Sequence, residues 1–220
     1  SDTDSQNITV LNRLPIASFV ESATAVPTYT VITFNASSSY DPDGYIVSYF
    51  WDFGDNISAT GVTTEHAYAD NGTYIVTLTI TDDDGATATA TATKTVSNRV
   101  PTTSFSENAT IVYTSEIIHF NASESFDPDG EIVSYFWDFG DGTNATGVIV
   151  EHSYADNGTY KVTLTVTDDD GATASTSAFK TVLNRAPGVS FTESATAVLT
   201  YEIIYFDASD SYDSDGTIVG

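Results

Sequence analysis

The sequence predicts an all-β protein built from tandem β-sandwich domains without disulfides. Three observations predict this class: apolar residues alternate with Thr from Tyr74 to Thr81, a long segment recurs after 86 residues, and the 220 residues include no Cys. Alternation with a period of two places every second side chain on one face, which is the pattern of a half-buried strand. Gly- and Asp-rich turns separate the strand segments, as is typical of a sandwich.

The repeat indicates the domain organisation. Asn12-Arg13-Leu14-Pro15 recurs as Asn98-Arg99-Val100-Pro101 and as Asn184-Arg185-Ala186-Pro187. A unit of this size is a small independent domain rather than a solenoid repeat. We therefore predict a first domain over residues 12–97, a second over 98–183 and the first half of a third over 184–220.

The two ends of the chain suggest a window cut from a longer array. Residues 1–11 resemble the end of a repeat, so we expect them to be the tail of a preceding copy. The third copy stops at Gly220, before its second half. An alternative is that a neighbouring chain completes the third domain by donating strands.

The strands can be followed in order through the first repeat. Ile32, Phe34 and Ala36 alternate with polar residues and should face the core. Within 46–53 the odd positions should face inward, namely Val47, Tyr49, Trp51 and Phe53. Residues 86–96 alternate Ala with Thr, which favours a thin and closely packed strand.

Composition excludes several classes of function. The formal net charge is −25 and the estimated pI is 4.1. Phosphate backbones and anionic membrane surfaces would repel such a chain, so we expect no nucleic-acid partner and no membrane insertion. No apolar stretch approaches the roughly 18–20 residues of a membrane helix. A hydrophobic fraction of 40% is sufficient for a folded core.

Two motifs place the repeat among immunoglobulin-like sandwiches. Trp51 lies in mid-strand, and Asp70-Asn71-Gly72-Thr73-Tyr74 has the spacing of a tyrosine corner. Trp51-Asp52-Phe53-Gly54-Asp55, repeated from Trp137 to Asp141, resembles the hallmark of PKD (polycystic kidney disease) domains. The segments 39–44 and 68–74 fit the same family, and the resemblance covers residues 12–220.

The resemblance implies an immunoglobulin-like sandwich of about seven strands per repeat. Family members occur in archaeal cell-surface and S-layer proteins and as spacers in secreted bacterial hydrolases. The Asp- and Thr-rich tandem form of this chain is most similar to the archaeal surface proteins. Asn56 stands where the family usually has Gly, which is expected to change one turn and not the fold.

Asp-rich loops predict a cation site where each domain begins. The segment at Asn12 and Arg13, the 41–44 loop and the 82–85 loop should lie at one end of the sandwich. Converging carboxylates repel one another unless a cation lies between them, and oxygen ligands in flexible loops suit Ca²⁺. The alternative is that these are turn sequences whose side chains cap backbone amides.

The resemblance makes the prediction specific, because PKD domains of bacterial collagenases bind structural calcium at this end. It implies the ligands Asn12, Asp41, Asp43 and Asp83 in the first repeat, Asn98, Asp127, Asp129 and Asp169 in the second, and Asn184, Asp213 and Asp215 in the third. The ion would stiffen the linker between domains.

Eight of the eleven Asn residues lie in Asn-x-Ser/Thr sequons, which predicts N-linked glycans and an extracellular location. The alternative is that Ser/Thr-rich strands and duplication produce sequons without use. The sequons begin at Asn7, Asn35, Asn56, Asn71, Asn108, Asn121, Asn144 and Asn157.

No catalytic constellation is recognisable, and no site for an organic cofactor is predicted. Asp52 and Asp55 could suggest paired acids, but one faces away from the core and the other belongs to a turn. His66, His152 and His119 are expected to be ordinary strand-surface residues.

We therefore predict a non-enzymatic structural protein at the cell surface. Its repeats would associate with one another, and possible partners include other surface glycoproteins, in an S-layer, sheath or filament. The alternative is a spacer or binding module of a larger secreted hydrolase or adhesin.

Overall fold

The structure is a computed structural model that describes residues 9–219 and divides into two compact units, the first ending at Arg99 and the second beginning at Val100. Within the described residues the chain forms strands and turns and no helix, which confirms the all-β prediction. It follows that no helix in residues 9–219 could cross a membrane.

The first unit is a sandwich of two sheets. A three-stranded sheet has the order β1-β3-β6, and a five-stranded sheet has the order β2-β8-β7-β4-β5. Neighbouring strands are antiparallel except β2 and β8, which are parallel. The strands are β1 (Val20–Glu21), β2 (Ala25–Pro27), β3 (Ile32–Asn35), β4 (Ile46–Asp52), β5 (Ser58–Thr60), β6 (Thr63–His66), β7 (Gly72–Asp82) and β8 (Thr87–Ser97).

The second unit repeats this topology, with sheets β14-β11-β9 and β10-β16-β15-β12-β13. The third repeat adds one antiparallel pair, β17 with β18. The strands are β9 (Ser106–Glu107), β10 (Ile111–Tyr113), β11 (Ile118–Asn121), β12 (Ile132–Asp138), β13 (Asn144–Thr146), β14 (Ile149–His152), β15 (Gly158–Asp168), β16 (Thr173–Leu183), β17 (Thr192–Glu193) and β18 (Phe206–Asp207).

Each full repeat thus has eight strands rather than seven, because its first strand is split between the two sheets. β1 pairs with β3 in one sheet, and β2 pairs with β8 in the other. The chain crosses from sheet to sheet within a few residues. This arrangement is an immunoglobulin-like sandwich, as the sequence predicts.

Aromatic packing fills each core without disulfides. Trp51 is fully buried between Phe19 and Phe34, and its Nε1 donates a hydrogen bond of 2.9 Å to the carbonyl of Gly61. The Tyr74 hydroxyl donates to the carbonyl of Asp70 at 2.9 Å, which is the hydrogen bond of a tyrosine corner. The indole of Trp51 is therefore packed against aromatic rings, and its N–H has a hydrogen-bond acceptor.

One core prediction is wrong. Val47 is 54% exposed, whereas Ile46 packs against the core. The register of β4 against β7 shifts between Ile46 and Ser48, as in a β-bulge. A bulge inserts one residue and reverses the alternation at that point, so the odd-position pattern fails for Val47. It holds for the partly buried Tyr49 and for Trp51 and Phe53, which are both in the core.

The turn at Asn56 is another departure from the sequence prediction. Asn56 has a φ of 69°, and its counterpart Gly142 has a φ of 88°. Asn is one of the few residues other than Gly that adopts this left-handed conformation readily. The expected change of turn is therefore wrong, since both repeats keep a left-handed residue here.

Candidate metal site at the start of each domain

Asp82 is the buried acid of the first site. It ends β7, where Val76, Leu78 and Ile80 alternate inward, so the same period carries Asp82 into the domain with 1% of its surface exposed. Asn12 Nδ2 donates to Asp82 Oδ2 at 3.0 Å, and Ala86 N donates to Asp82 Oδ1 at 2.7 Å. The hydrogen bond from Asn12 is the main cause that lowers the pKa of Asp82.

Asp82 was absent from the predicted ligands, which named Asp83 instead. The alternation along β7 is the signal that could have identified it. The structure thus brings Asn12 to the 82–85 loop as predicted, but Asn12 binds Asp82 and not the neighbouring Asp83. Asp83 has a different contact, because its Oδ1 accepts a hydrogen bond from Tyr45 N at 3.0 Å.

The 41–44 loop completes the cluster. Arg13 N donates to Asp43 Oδ2 at 3.2 Å, so the chain at the start of the domain is bound to this loop. Asp41 Oδ2 is buried and accepts no hydrogen bond. Burial, followed by the charges of Asp43 and Asp82, raises the pKa of Asp41. A raised carboxyl pKa marks a position where negative charge is poorly compensated.

Gly44 creates the space at the centre of the cluster. A Cβ at this position would lie 2.2 Å from Asp83 Oδ1 and 2.7 Å from Asp41 Oδ2. The two oxygens therefore lie within about 5 Å of each other across a gap that any other side chain would fill. Two carboxylates from different loops face one point.

The second unit repeats the arrangement. A Cβ on Gly130 would lie 2.2 Å from Asp169 Oδ1 and 2.9 Å from Asp127 Oδ2. Both Asp127 oxygens are buried without a hydrogen bond, and burial is the main cause that raises the pKa of this carboxyl. Asp129 lies in the same loop, and Asn98 lies at the end of the first unit.

The third repeat shows the loop in contact with the preceding repeat. Asp215 Oδ2 accepts hydrogen bonds from Thr114 Oγ1 and from Arg185 N, the latter at 2.8 Å. Both hydrogen bonds lower the pKa of Asp215, and the one from Thr114 has the larger effect. Asn184 Nδ2 donates to the carbonyl of Arg185 at 2.8 Å, and a Cβ on Gly216 would lie 2.8 Å from Asp213 Oδ2.

These residues fit calcium in chemistry and in part in geometry. No group of three or more acidic or His side chains within residues 9–219 is already gathered around one point. The gaps at Gly44 and Gly130 nevertheless each gather oxygens from two carboxylates, and a buried carboxylate oxygen without a donor is the group that a cation would satisfy. Calcium accepts such carboxylates together with backbone oxygens and water.

The acid pair of the hallmark motif has a structural role. Asp52 Oδ1 accepts from Gly54 N at 2.9 Å, and Asp55 Oδ1 accepts from Ile57 N at 3.1 Å. His66 Nε2 lies 2.6 Å from Asp55 Oδ2, and its ring stacks on Phe53 with centroids 4.2 Å apart. The prediction of a strand-surface His is wrong for His66, which is 9% exposed.

The sequons differ in how well they are exposed. Asn35 and Asn121 are half-buried, and each side-chain oxygen accepts a hydrogen bond of 2.9 Å from the Ser two residues later. Asn7 lies outside the described residues, and Asn71 is half-buried. The exposed sequon residues are Asn56, Asn108, Asn144 and Asn157.

Comparison with known proteins decides the family. A family model described as PKD domain matches residues 12–97 and 98–183. The chain belongs to the PKD domain family. The crystal structure of the PKD1 domain of Vibrio anguillarum Epp is similar at 36% identity and a TM-score of 0.35, over 39% of this chain and 96% of that one.

Bacterial collagenases are among the proteins that this chain resembles. A microbial collagenase of Vibrio alginolyticus is 48% identical over 79 residues, which is 36% of this chain and 10% of the collagenase. Collagenase ColA of Clostridium perfringens is 40% identical over 74 residues, 34% of this chain and 7% of that protein. The chain therefore spans a tenth or less of these relatives' length, and they give no support to the prediction of an archaeal S-layer protein.

Proposed function

We propose that this PKD tandem is a non-catalytic spacer module of a larger extracellular protein. The support is that its similarity to the collagenases is confined to a small part of each of them. The acids of the hallmark motif hold turns, so they are poorly placed for catalysis. This is the alternative that the sequence offered, and the relatives favour it over a filament or S-layer.

We also propose that the module binds calcium, and the observation that carries this part of the proposal is the acidic gap at the start of each domain. Asp41 and Asp83 would hold calcium beside Gly44, and Asp127 and Asp169 would do so beside Gly130. The ion would supply positive charge to carboxylates that lack a donor. Because Asn12 and Arg13 already bind the two loops, a filled site would fix the chain where one domain follows another.

Modification of the exposed sequons belongs to the same proposal. N-linked glycans at Asn56, Asn108, Asn144 and Asn157 would cover polar surface without disturbing the core. The half-buried Asn35 and Asn121 already hydrogen-bond the turns that follow them. We expect these two sequons to remain unmodified.

Electron microscopy of the purified chain in calcium tests the spacer role. Dispersed particles in calcium and in chelator alike agree with a spacer. Ordered filaments or sheets would contradict the spacer role and favour the prediction of an S-layer, sheath or filament. Hydrolysis of a peptide or glycan by the purified chain would overturn the non-catalytic assignment.

A further inference from the structure

Two of the three lysines are buried at the same place in the two full repeats. Lys94 in β8 and Lys180 in β16 have no exposed surface, whereas Lys161 is exposed. Lys is among the residues that are almost never fully buried without a partner. In a chain with 31 acidic and six basic residues, this placement needs a specific explanation.

Each buried lysine contacts one glutamate across the sandwich. Lys94 Nζ meets Glu21 Oε1, and Lys180 Nζ meets Glu107 Oε1. The glutamate side chains are only 15% and 14% exposed. Glu21 lies on β1 of the three-stranded sheet and Lys94 on β8 of the five-stranded sheet, so the pair joins opposite sheets.

In the first repeat the surroundings compensate the charges of the pair poorly. Beyond the contact with Glu21, Lys94 Nζ donates to the carbonyl of Thr93 at 3.3 Å. Glu21 Oε2 is buried and accepts no hydrogen bond. Removing two charges from water is costly, and their attraction offsets that cost only if the remaining polar atoms are satisfied. A covalent product without charge would remove the penalty.

We propose that each pair condenses to an intramolecular amide, Lys94 with Glu21 and Lys180 with Glu107. In the first step a proton passes from the ammonium to the carboxylate, which leaves a neutral amine and a neutral acid in contact. The amine lone pair then attacks Glu Cδ and forms the C–N bond. The Cδ–O bond breaks, and the oxygen leaves as water with a second proton from nitrogen.

The fold supplies what this step requires. Holding amine and acid in contact raises their effective concentration by orders of magnitude, and no oxidant or cofactor is consumed. An open groove lined by residues 17–21 and 90–92 borders Glu21 and gives the released water an exit. The reaction belongs to the folded chain and does not depend on calcium or on the spacer role.

The consequence is mechanical. β1 and β8 are the first and last strands of the repeat, so an amide between them would close almost the whole domain into one covalent loop. A force applied at the two ends of the repeat would then pass through the amide. The fold between Glu21 and Lys94 would bear none of it.

Intact mass spectrometry of the folded, unmodified recombinant chain tests the proposal after prolonged incubation at 37 °C. Two amides lower the mass by about 36 Da, one water for each bond. Digestion should yield branched peptides that join residue 21 to residue 94 and residue 107 to residue 180. A full mass with only linear peptides would overturn the proposal and leave two non-covalent ion pairs.

Variants assign the loss of mass to each site. Lys94→Met removes one amine and should halve the deficit, while Lys180→Met should halve it independently. The exposed Lys161→Met is the matched control and should keep the full deficit relative to its own calculated mass. A deficit that persists in the Lys94→Met and Lys180→Met double variant would contradict the assignment to these pairs.

Discussion

At the residue scale, the candidate site depends on which acid each donor meets. Asn12 binds the buried Asp82, and the backbone of Arg13 binds Asp43. The sequence could predict that these loops meet, because the topology of the sandwich brings them to one end. The choice of Asp82 over Asp83 was also open to prediction, because the inward alternation of β7 continues to its last residue, Asp82.

Asn12→Ala should lower the melting temperature at neutral pH by roughly 2–5 °C, because Asp82 loses its side-chain donor. The lowered pKa of Asp82 means that its stabilising contribution is present above the unfolded carboxyl pKa and is lost as pH falls through the folded value. The difference between variant and parent should therefore shrink in acid.

Thermal unfolding between pH 7 and pH 3 measures the difference in melting temperature between Asn12→Ala and the parent. The substitution Leu14→Ala, at an exposed neighbour, is the control. A loss of stability that does not change with pH would contradict the role assigned to Asp82.

The pKa of Asp41 is shifted in the opposite direction to that of Asp82, because burial and nearby acids raise it. In the metal-free chain its protonated form is favoured by folding, so its contribution to stability grows as pH falls through the raised value. A bound cation competes with that proton. Calcium affinity should therefore fall between neutral pH and mild acid, as calorimetric titration at several pH values would show; a pH-independent affinity would contradict the assignment.

At the element scale, the sequence predicted most strands and the faces they bury. The inward positions of β3 and β7 follow the period of two, and Trp51 lies in the core as expected. The failures occur where this period is broken or where its residue type is unusual. The bulge in β4 reverses Val47, and the buried Lys94 occupies an inward position of β8 between Ala92 and Val96.

The bulge can be tested with two neighbouring substitutions. Ile46→Thr should reduce the unfolding free energy by about 1–2 kcal/mol, since it removes apolar atoms of a partly buried side chain and introduces a hydroxyl. Val47→Thr should change it by less than about 0.5 kcal/mol, because this side chain faces solvent. Chemical denaturation of both variants measures the order, and the reverse order would indicate a regular strand without the bulge.

The Gly54 turn offers a second test at this scale. Gly54 has a φ of +83°, and a Cβ there would lie 2.8 Å from the carbonyl oxygen of Ile75. Gly54→Ala should therefore lower stability by about 3 kcal/mol, from backbone strain together with the steric clash.

Gly85→Ala is the matched control for the Gly54 substitution. It has a similar φ of +88° but no atom within 4 Å of the added Cβ, so it should lower stability by only about 1 kcal/mol. Equal effects of the two substitutions in denaturant titrations would show that the contact with Ile75 is unimportant.

At the scale of the whole molecule, part of the negative charge can be assigned to particular loops. Part of the charge of −25 lies in loops where carboxylates from separate segments face a Gly gap. The sequence predicted the family, the fold and the convergence of these loops. It could not predict how many carboxylates share one point, because that number depends on side-chain hydrogen bonds formed only in the fold.

Thermal unfolding of the whole chain in calcium and in chelator tests the central claim most directly. Calcium at about 100 times its dissociation constant should add about 2.7 kcal/mol of stability at each occupied site, which raises the melting temperature by several degrees. Asp41→Asn combined with Asp127→Asn and Asp213→Asn should abolish the increase. An identical melting temperature in millimolar calcium and in chelator would contradict the account.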